Sequence, residues 1–195
     1  TLKIRGAVID FMRKQDWVPR SQRSLSRVLE ETALLQFDEQ QTTVRLKGVD
    51  AYYATVNGVA AKTTTGKFDL GELEKPRLVL GSGIQYGLNV PISEAFPSEP
   101  ITIILPKRHI PSNDPLESIS EGNAIPTGAF AIQQEFDNSY AFTNLPFLQQ
   151  QLNLSANEIS HIDIRLKPGM SLEKVRDQLQ QIMGPAFLVK TRFQQ

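Results

Sequence analysis

The strongest constraint on what this chain can become lies in residues 24–50, "SLSRVLEETALLQF", "DEQ" and "QTTVRLKGVD". Two long runs rich in β-branched residues (Val28, Thr32, Thr42, Thr43, Val44) flank a three-residue polar link. That pattern predicts a long antiparallel hairpin, because branched Cβ atoms fit a pleated surface better than a helix. Taken alone, "RVLEETALL" has helical spacing; the β-branched residues around it decide for strand. A hairpin of this length buries one face only if other elements cover it. The rest of the chain must supply a sheet and a layer of helices.

Both ends of the chain offer such elements. "TLKI" alternates as a half-buried strand. "AVIDFMRKQDWV" follows as a helix whose inner face is expected to carry Val8, Phe11, Met12 and Gln15, with Pro19 ending it. From Ala129 onward the spacing predicts a strand "AFAIQQEF" and a helix "NLPFLQQQLNL" with Asn144 as N-cap and Pro146 in its first turn. A strand "HIDIRL" comes next. The helix "SLEKVRDQLQQIM" then starts at the cap Ser171 and carries Glu173 in its first turn. Its apolar stripe is Leu172, Val175, Leu179 and Ile182. Gly184 and Pro185 stop this helix, and "AFLVKTRF" is expected as a closing strand, giving a βαβ-like unit. "TLKI", "HIDIRL" and "FLVKTR" are expected to share one sheet.

Residues 51–128 are choppier. "KPRLVLGSGIQYGLNV" predicts strand, glycine turn and short helix, and "PITIIL" a strand. After it comes "LPKRHIPSNDPLESISEGNAIPTGAF", residues 105–130, a polar stretch of a length rarely kept without a function. The expected organisation is α+β. Residues 1–51 and 129–195 form an α/β lobe, and residues 52–128 form an inserted, mostly-β lobe with a protruding hairpin or loop at about 106–128.

Composition excludes several classes. Lysine plus arginine balance aspartate plus glutamate, so no bulk charge attracts nucleic acid. The chain has no cysteine, so it holds neither disulfides nor a thiolate metal site. No apolar run reaches the ~20 residues that span a bilayer. The chain begins "TLKIRG", without methionine or a signal-peptide pattern, and is expected to be an excised fragment or a mature domain.

Candidate chemistry is sparse. Gly81, Gly83 and Gly87 of "GSGIQYG" follow a strand and open a helix, but no acidic residue ends a second strand at nucleotide-binding spacing. A tight turn with close helix packing is the expected role. The histidines, His109 and His161, have no G-x-S-x-G serine, and Asp163 merely shares a strand face with His161. The carboxylates Glu30, Glu31, Asp38 and Glu39 and the basic residues Arg13, Lys14, Arg20, Arg23 and Arg27 are expected on solvated surface. No catalytic residue, metal ligand or cofactor site is assigned, which points to a binding or mechanical role.

The order of segments resembles a known family. "EETALLQFDEQQTTVRLKGVD" is similar to the hairpin that leads into a "GVD"-type turn in FtsX-like ABC permeases. "LVLGSGIQYGLNV", "PITIILP", "GAFAIQQEFDNSYAFTNLPFLQQQLNL", "ISHIDIRLKPGMSLEKVRDQL" and "FLVKTRFQQ" resemble the segments that follow it there. The family is the MacB-like periplasmic core domain, and the nearest branch resembles the lipoprotein-releasing permeases of LolC/LolE type.

The resemblance implies a porter-like α/β subdomain with an inserted β subdomain, on the periplasmic side of a bacterial inner membrane. It implies, as partners, the transmembrane part of the same permease, a cytoplasmic ABC ATPase and a second permease copy or paralogue. It also implies no enzyme activity in this domain. In the lipoprotein-releasing branch, the connection matching residues 106–128 is a protruding hairpin that recruits a lipoprotein chaperone. Here that stretch is longer and richer in Asn, Ser and Glu, and Ile110, Pro111, Ile125 and Pro126 are the expected partner contacts. The alternatives are a MacB-type exporter domain for peptides or drugs and, more distantly, a soluble hydrolase using His161.

Overall fold

The computed structural model describes residues 2–3, 6–19, 24–93, 98–108 and 118–191. The expected hairpin is its axis: β2 (Leu25–Phe37) and β3 (Gln40–Val49) run antiparallel from Val28↔Val49 to Phe37↔Gln40. Asp38 turns the corner at φ 49, a left-handed conformation that short polar side chains tolerate.

The other long strands attach to this pair directly or through a neighbour. Strand β6 (Lys75–Gly81) leads into helix α3 (Ser82–Gly87), and β7 (Ile101–Pro106) hairpins with β8 (Ile119–Phe130). Strand β9 (Tyr140–Asn144) leads directly into helix α5 (Leu145–Gln151). In the sheet β7 pairs with β2, β9 runs parallel to β3, and β6 lies antiparallel to β9. A parallel β6–β8 pairing closes the order β8-β7-β2-β3-β9-β6 into a ring. Short strands β4 (Thr63–Gly66) and β5 (Gly71–Glu72) flank β8 and β6, and β11 (His161–Ile164) extends the lower end of β2.

Alternation along these strands separates two cores. Leu29, Leu35, Leu46, Leu78, Leu80, Ile101 and Ile103 turn to one side, where Leu145, Leu148 and Leu152 of the α5 segment and Ile84 of α3 cover them. Gly48 lets α5 approach, since a Cβ there would lie 2.7 Å from the Leu148 Cβ. Asn144 caps α5 as expected, its side-chain oxygen accepting the Phe147 N–H at 2.9 Å. Val28, Val49, Val79, Phe130 and Phe142 turn to the other side. There Phe142 packs 5.3 Å from both Tyr53 and Phe130 and 5.9 Å from Phe68. Tyr53 belongs to the short helix α2 (Tyr53–Asn57).

A third, smaller core joins the chain ends. Helix α1 (Gly6–Arg13) and the turn after it bring Trp17 and Val18 against Val175 and Leu179 of helix α6 (Leu172–Met183). The expected stripe of α6 is only half used: Val175 and Leu179 are buried, whereas Leu172 and Ile182 are exposed. On α1, Met12 is buried but Phe11 faces out, and Ile9 packs on the main core in its place. The side chain of Val8 lies outside the described residues.

Four other expectations need correction. Among the described residues "TLKI", "HIDIRL" and "FLVKTR" do not share a sheet: β1 (Leu2–Lys3) pairs with β10 (Glu158–Ile159), while β11 pairs with β2. The closing strand "AFLVKTRF" is absent among the described residues up to Thr191. The Gln180 side chain takes the place of a partner strand. Its Nε2 donates to the Gly184 and Phe187 carbonyls at 2.9 and 2.7 Å, and its Oε1 accepts the Val189 N–H at 3.0 Å. "AFAIQQEF" is strand only to Phe130, after which Gln134–Asp137 forms a single helical turn, α4.

Conversely, Ile119–Gly128, expected within the irregular stretch, is most of β8. Its glycines and proline conceal a strand with local irregularities. The register shifts beside Leu78, opposite Pro126, and Thr127 Oγ1 there donates to the carbonyls of Asp69 and Leu78. The sheet also draws β2, β3, β6, β7, β8 and β9 into one hydrogen-bonded set. The position 128/129 lies inside β8, and 51/52 lies in the turn between β3 and α2.

Candidate partner-binding surface

The β7–β8 hairpin is where sequence reasoning placed the partner contact. Its ladder runs from Ile101↔Ala124 up to Pro106↔Ile119, so the ordered strands account for much of the long stretch. Inward positions Ile101, Ile103, Leu105 and Ala124 fill the main core. Outward positions Ile119, Glu121, Asn123 and Ile125 are exposed, and Thr102 donates from Oγ1 to the Asn123 Oδ1 across the strands at 3.1 Å.

The root of the hairpin is fastened to the body. The Lys107 N–H donates to the Ser118 carbonyl at 2.8 Å, and the Arg108 N–H to the Leu152 carbonyl at 3.0 Å. The Arg108 guanidinium donates to Glu31 Oε2 of β2, from Nε at 2.7 Å and also from Nη2. The Glu31 side chain is only 11% exposed, so this pair sits partly out of water. Ser120 Oγ hydrogen-bonds Gln151 Oε1 at the end of α5, and Gly122 leaves room for the same glutamine. These contacts fasten Lys107–Arg108 and Ser118–Ser120 to β2 and the end of α5.

Of the four expected contacts, Ile110 and Pro111 lie outside the described residues, as does His109. Ile125 is exposed on the outer face of β8, opposite Arg77 of β6. Pro126, next to it, points inward and is buried. Ile119 was not singled out from sequence, although it is half exposed on the same face as Ile125. The alternation "ISEGNAI" hints at it, interrupted by Gly122.

The remaining candidates resolve into structure. Gly81 and Gly83 lie against α4: a Cβ at either would clash with Asp137 or Asn138. These glycines serve close packing, as the tight-turn reading expects. His161 and Asp163 do share a face, with Nε2 to Oδ1 at 3.6 Å, but the carboxylate also accepts from Asn57 Nδ2 at 2.5 Å. Burial pulls the His161 pKa below its ordinary value, and Asp163 only partly opposes this. Glu30 binds Arg45 at 3.2 Å and Lys47 at 3.5 Å, while Lys47 lies 4.6 Å from the centre of the Tyr140 ring. These are charge and ring contacts across β2, β3 and β9, and among the described residues no group of three or more His, Asp or Glu is placed to hold a metal ion.

No family model and no curated protein matches the sequence. Solved structures do match. The periplasmic region of MacB from Actinobacillus actinomycetemcomitans superposes with a TM-score of 0.57 at 14% identity, over 94% of this chain and 73% of that one. The extracellular domain of the noncanonic ABC-type transporter YknZ from Gram-positive bacteria gives 0.59 at 12% identity, over 96% of this chain and 89% of that one. The chain thus has the strand-dominated α/β fold of these domains. At such identities the likeness is one of fold.

Proposed function

We propose that this chain is the extracytoplasmic domain of an ABC transporter permease of MacB-like, FtsX-like type. The observation that carries this reading is the likeness to two transporter domains over 94% and 96% of the chain. The domain is non-catalytic in this reading, and ATP is hydrolysed by a cytoplasmic ABC subunit or domain. Motion reaches it through the membrane part of the same permease, which works with a second copy or a paralogue. It lies on the periplasmic side of a bacterial inner membrane. No helix among the described residues is long and apolar enough to cross a membrane, so in this reading the spanning helices belong to other parts of the permease.

Within this reading we propose lipoprotein release as the transport process, with the β7–β8 hairpin as the element that meets a periplasmic lipoprotein chaperone. Support comes from the fastened root and from the exposed isoleucines of β8, which cost free energy unless something covers them. Ile110, Pro111 and Ile125 are the proposed contacts, and Pro126 acts by shaping the bulge behind them. A MacB-type exporter domain is the second reading, favoured by the superposition on the periplasmic region of MacB.

The chain's lack of cysteine provides a direct test. Tyr86 is 81% exposed, so Tyr86→Cys in the full-length, otherwise cysteine-free permease should react with a membrane-impermeant maleimide on intact spheroplasts. Labelling only after lysis would remove the extracytoplasmic reading. Capture of a periplasmic chaperone by the wild type, lost on Ile125→Ser, supports lipoprotein release with contact at the hairpin; capture unaffected by this change moves the contact away from Ile125, and absence of capture leaves the exporter reading.

A further inference from the structure

Strand β3 is paired along both edges only from Arg45 to Val49, where β9 lies beside it. Above that point residues 40–44 bond to β2 alone; among the described residues no strand occupies their other side. The direction of the backbone groups there follows from the ladder. The Arg45 N–H donates to the Ser139 carbonyl at 2.7 Å, away from β2. In an antiparallel pair such outward residues alternate with inward ones, so Gln41 and Thr43 also turn their N–H and C=O groups away from β2. Both residues are exposed.

This edge does not open onto a flat surface. It borders a cleft of about 700 Å³ lined by Thr32, Thr43 and Arg45 of the hairpin and by Phe136 of the α4 turn and Asn138 and Ser139 just after it. The α4 turn ends where β9 begins, so it stands at the open end of the slot that β9 fills lower down.

We propose that this slot receives an extended polypeptide segment, which adds to β3 as a short strand above β9. Two donors and two acceptors at strand spacing fit the main chain of a peptide and no compact ligand of comparable size. The threonines and the partly paired Arg45 offer shallow polar contacts. Recognition therefore rests on the peptide backbone and tolerates different sequences. The open run "QQTTV" is short and polar, which keeps it from pairing with other copies of itself while leaving it open to a ligand strand. The inference rests on this edge alone and holds whether or not the domain belongs to a permease.

The probe is acetyl-Lys-Thr-Val-Thr-Val-Thr-Lys-amide, with a second version N-methylated at alternate amides so that it cannot pair along one edge. Amide exchange of the protein is followed residue by residue as probe is added. Protection of the Gln41 and Thr43 amides is expected, and N-methylation should weaken binding about tenfold, the value of one to two lost hydrogen bonds. Thr43→Pro removes one outward donor and should weaken the unmethylated probe similarly. Because the methylated probe leaves the protein unchanged, its result stands even if this variant is poorly folded. Equal binding of the two probes, protection confined to the β7–β8 hairpin or the β4 edge, or no protection at millimolar probe would overturn the proposal.

Discussion

Glu31 of β2 accepts a charged hydrogen bond from Arg108 at the point where the chain leaves β7, seventy-seven positions away in sequence. Because Glu31 is mostly covered and Arg108 half exposed, the two partners are not equivalent. Arg108→Ala leaves a shielded carboxylate without its cation and should cost about 1–2 kcal/mol in urea unfolding. Glu31→Gln, which keeps an acceptor for the guanidinium, should cost less. Equal stability of Arg108→Ala and wild type would show that the root is held by backbone bonds alone.

Gly48 carries the approach of α5 to the sheet. Alanine there places its Cβ against the Leu148 Cβ and 3.3 Å from the Leu145 Cα, backbone that cannot swing aside. Overpacking of this kind costs roughly 1–3 kcal/mol, and Gly48→Ala should lower the urea midpoint accordingly with an unchanged m-value. Leu148→Ala in the same background should recover little of that loss, because alanine keeps the Cβ that lies 2.7 Å away and Leu145 stays close.

His161 makes stability depend on pH in a defined direction. Its folded pKa lies below the ordinary 6.5, chiefly through burial. The unfolded chain therefore binds its proton first as pH falls, and folding loses free energy from about pH 6.5 downward until the folded pKa is passed. Above that window the two states carry the same charge and the residue contributes no slope. His161→Gln should flatten the fall in unfolding free energy between pH 7 and 5, and in the permease reading it should leave transport at pH 7 nearly intact. A steeper slope in the variant would mean that Asp163 outweighs burial.

The hairpin, the N-caps Asn144 and Ser171 and the stop at Gly184 were legible because each rests on local chemistry: β-branched residues, a side-chain acceptor, a glycine at φ 73. What stayed hidden depends on partners far away in sequence. Nothing in "HIDI" reveals that it pairs with Leu25–Val28, and nothing in "LPKRH" reveals Glu31 as the mate of Arg108. The strand Ile119–Gly128 was concealed because Gly122 and Gly128 read as loop residues. Each in fact makes room for a neighbour, Gln151 or Lys67. The open edge of β3 was also invisible, since a strand's sequence does not state how far its second neighbour extends.

Gln180 decides where the chain goes after α6. One side chain satisfies three backbone groups, the carbonyls of Gly184 and Phe187 and the N–H of Val189, and so folds the segment back along the helix where a strand was expected. Val189 packs beside Trp17, Val175 and Leu179 as a result, tying the exit segment to the core shared by both chain ends. Gln180→Ala removes all three bonds at a net cost of about 1–3 kcal/mol, felt locally because Leu188 and Lys190 are already exposed. Gln180→Glu keeps an acceptor for Val189 and loses the donors to the two carbonyls. The Val189 amide should therefore exchange much faster in the alanine variant and remain protected in the glutamate variant, while amides of β2 and β3 change little in either. In the permease reading this tether sets the direction in which α6 hands motion to the next part of the chain, so Gln180→Ala should reduce coupled transport more than it reduces the amount of folded protein. Unchanged Val189 exchange in Gln180→Ala would show that apolar packing alone holds the segment, and the tether would lose its role.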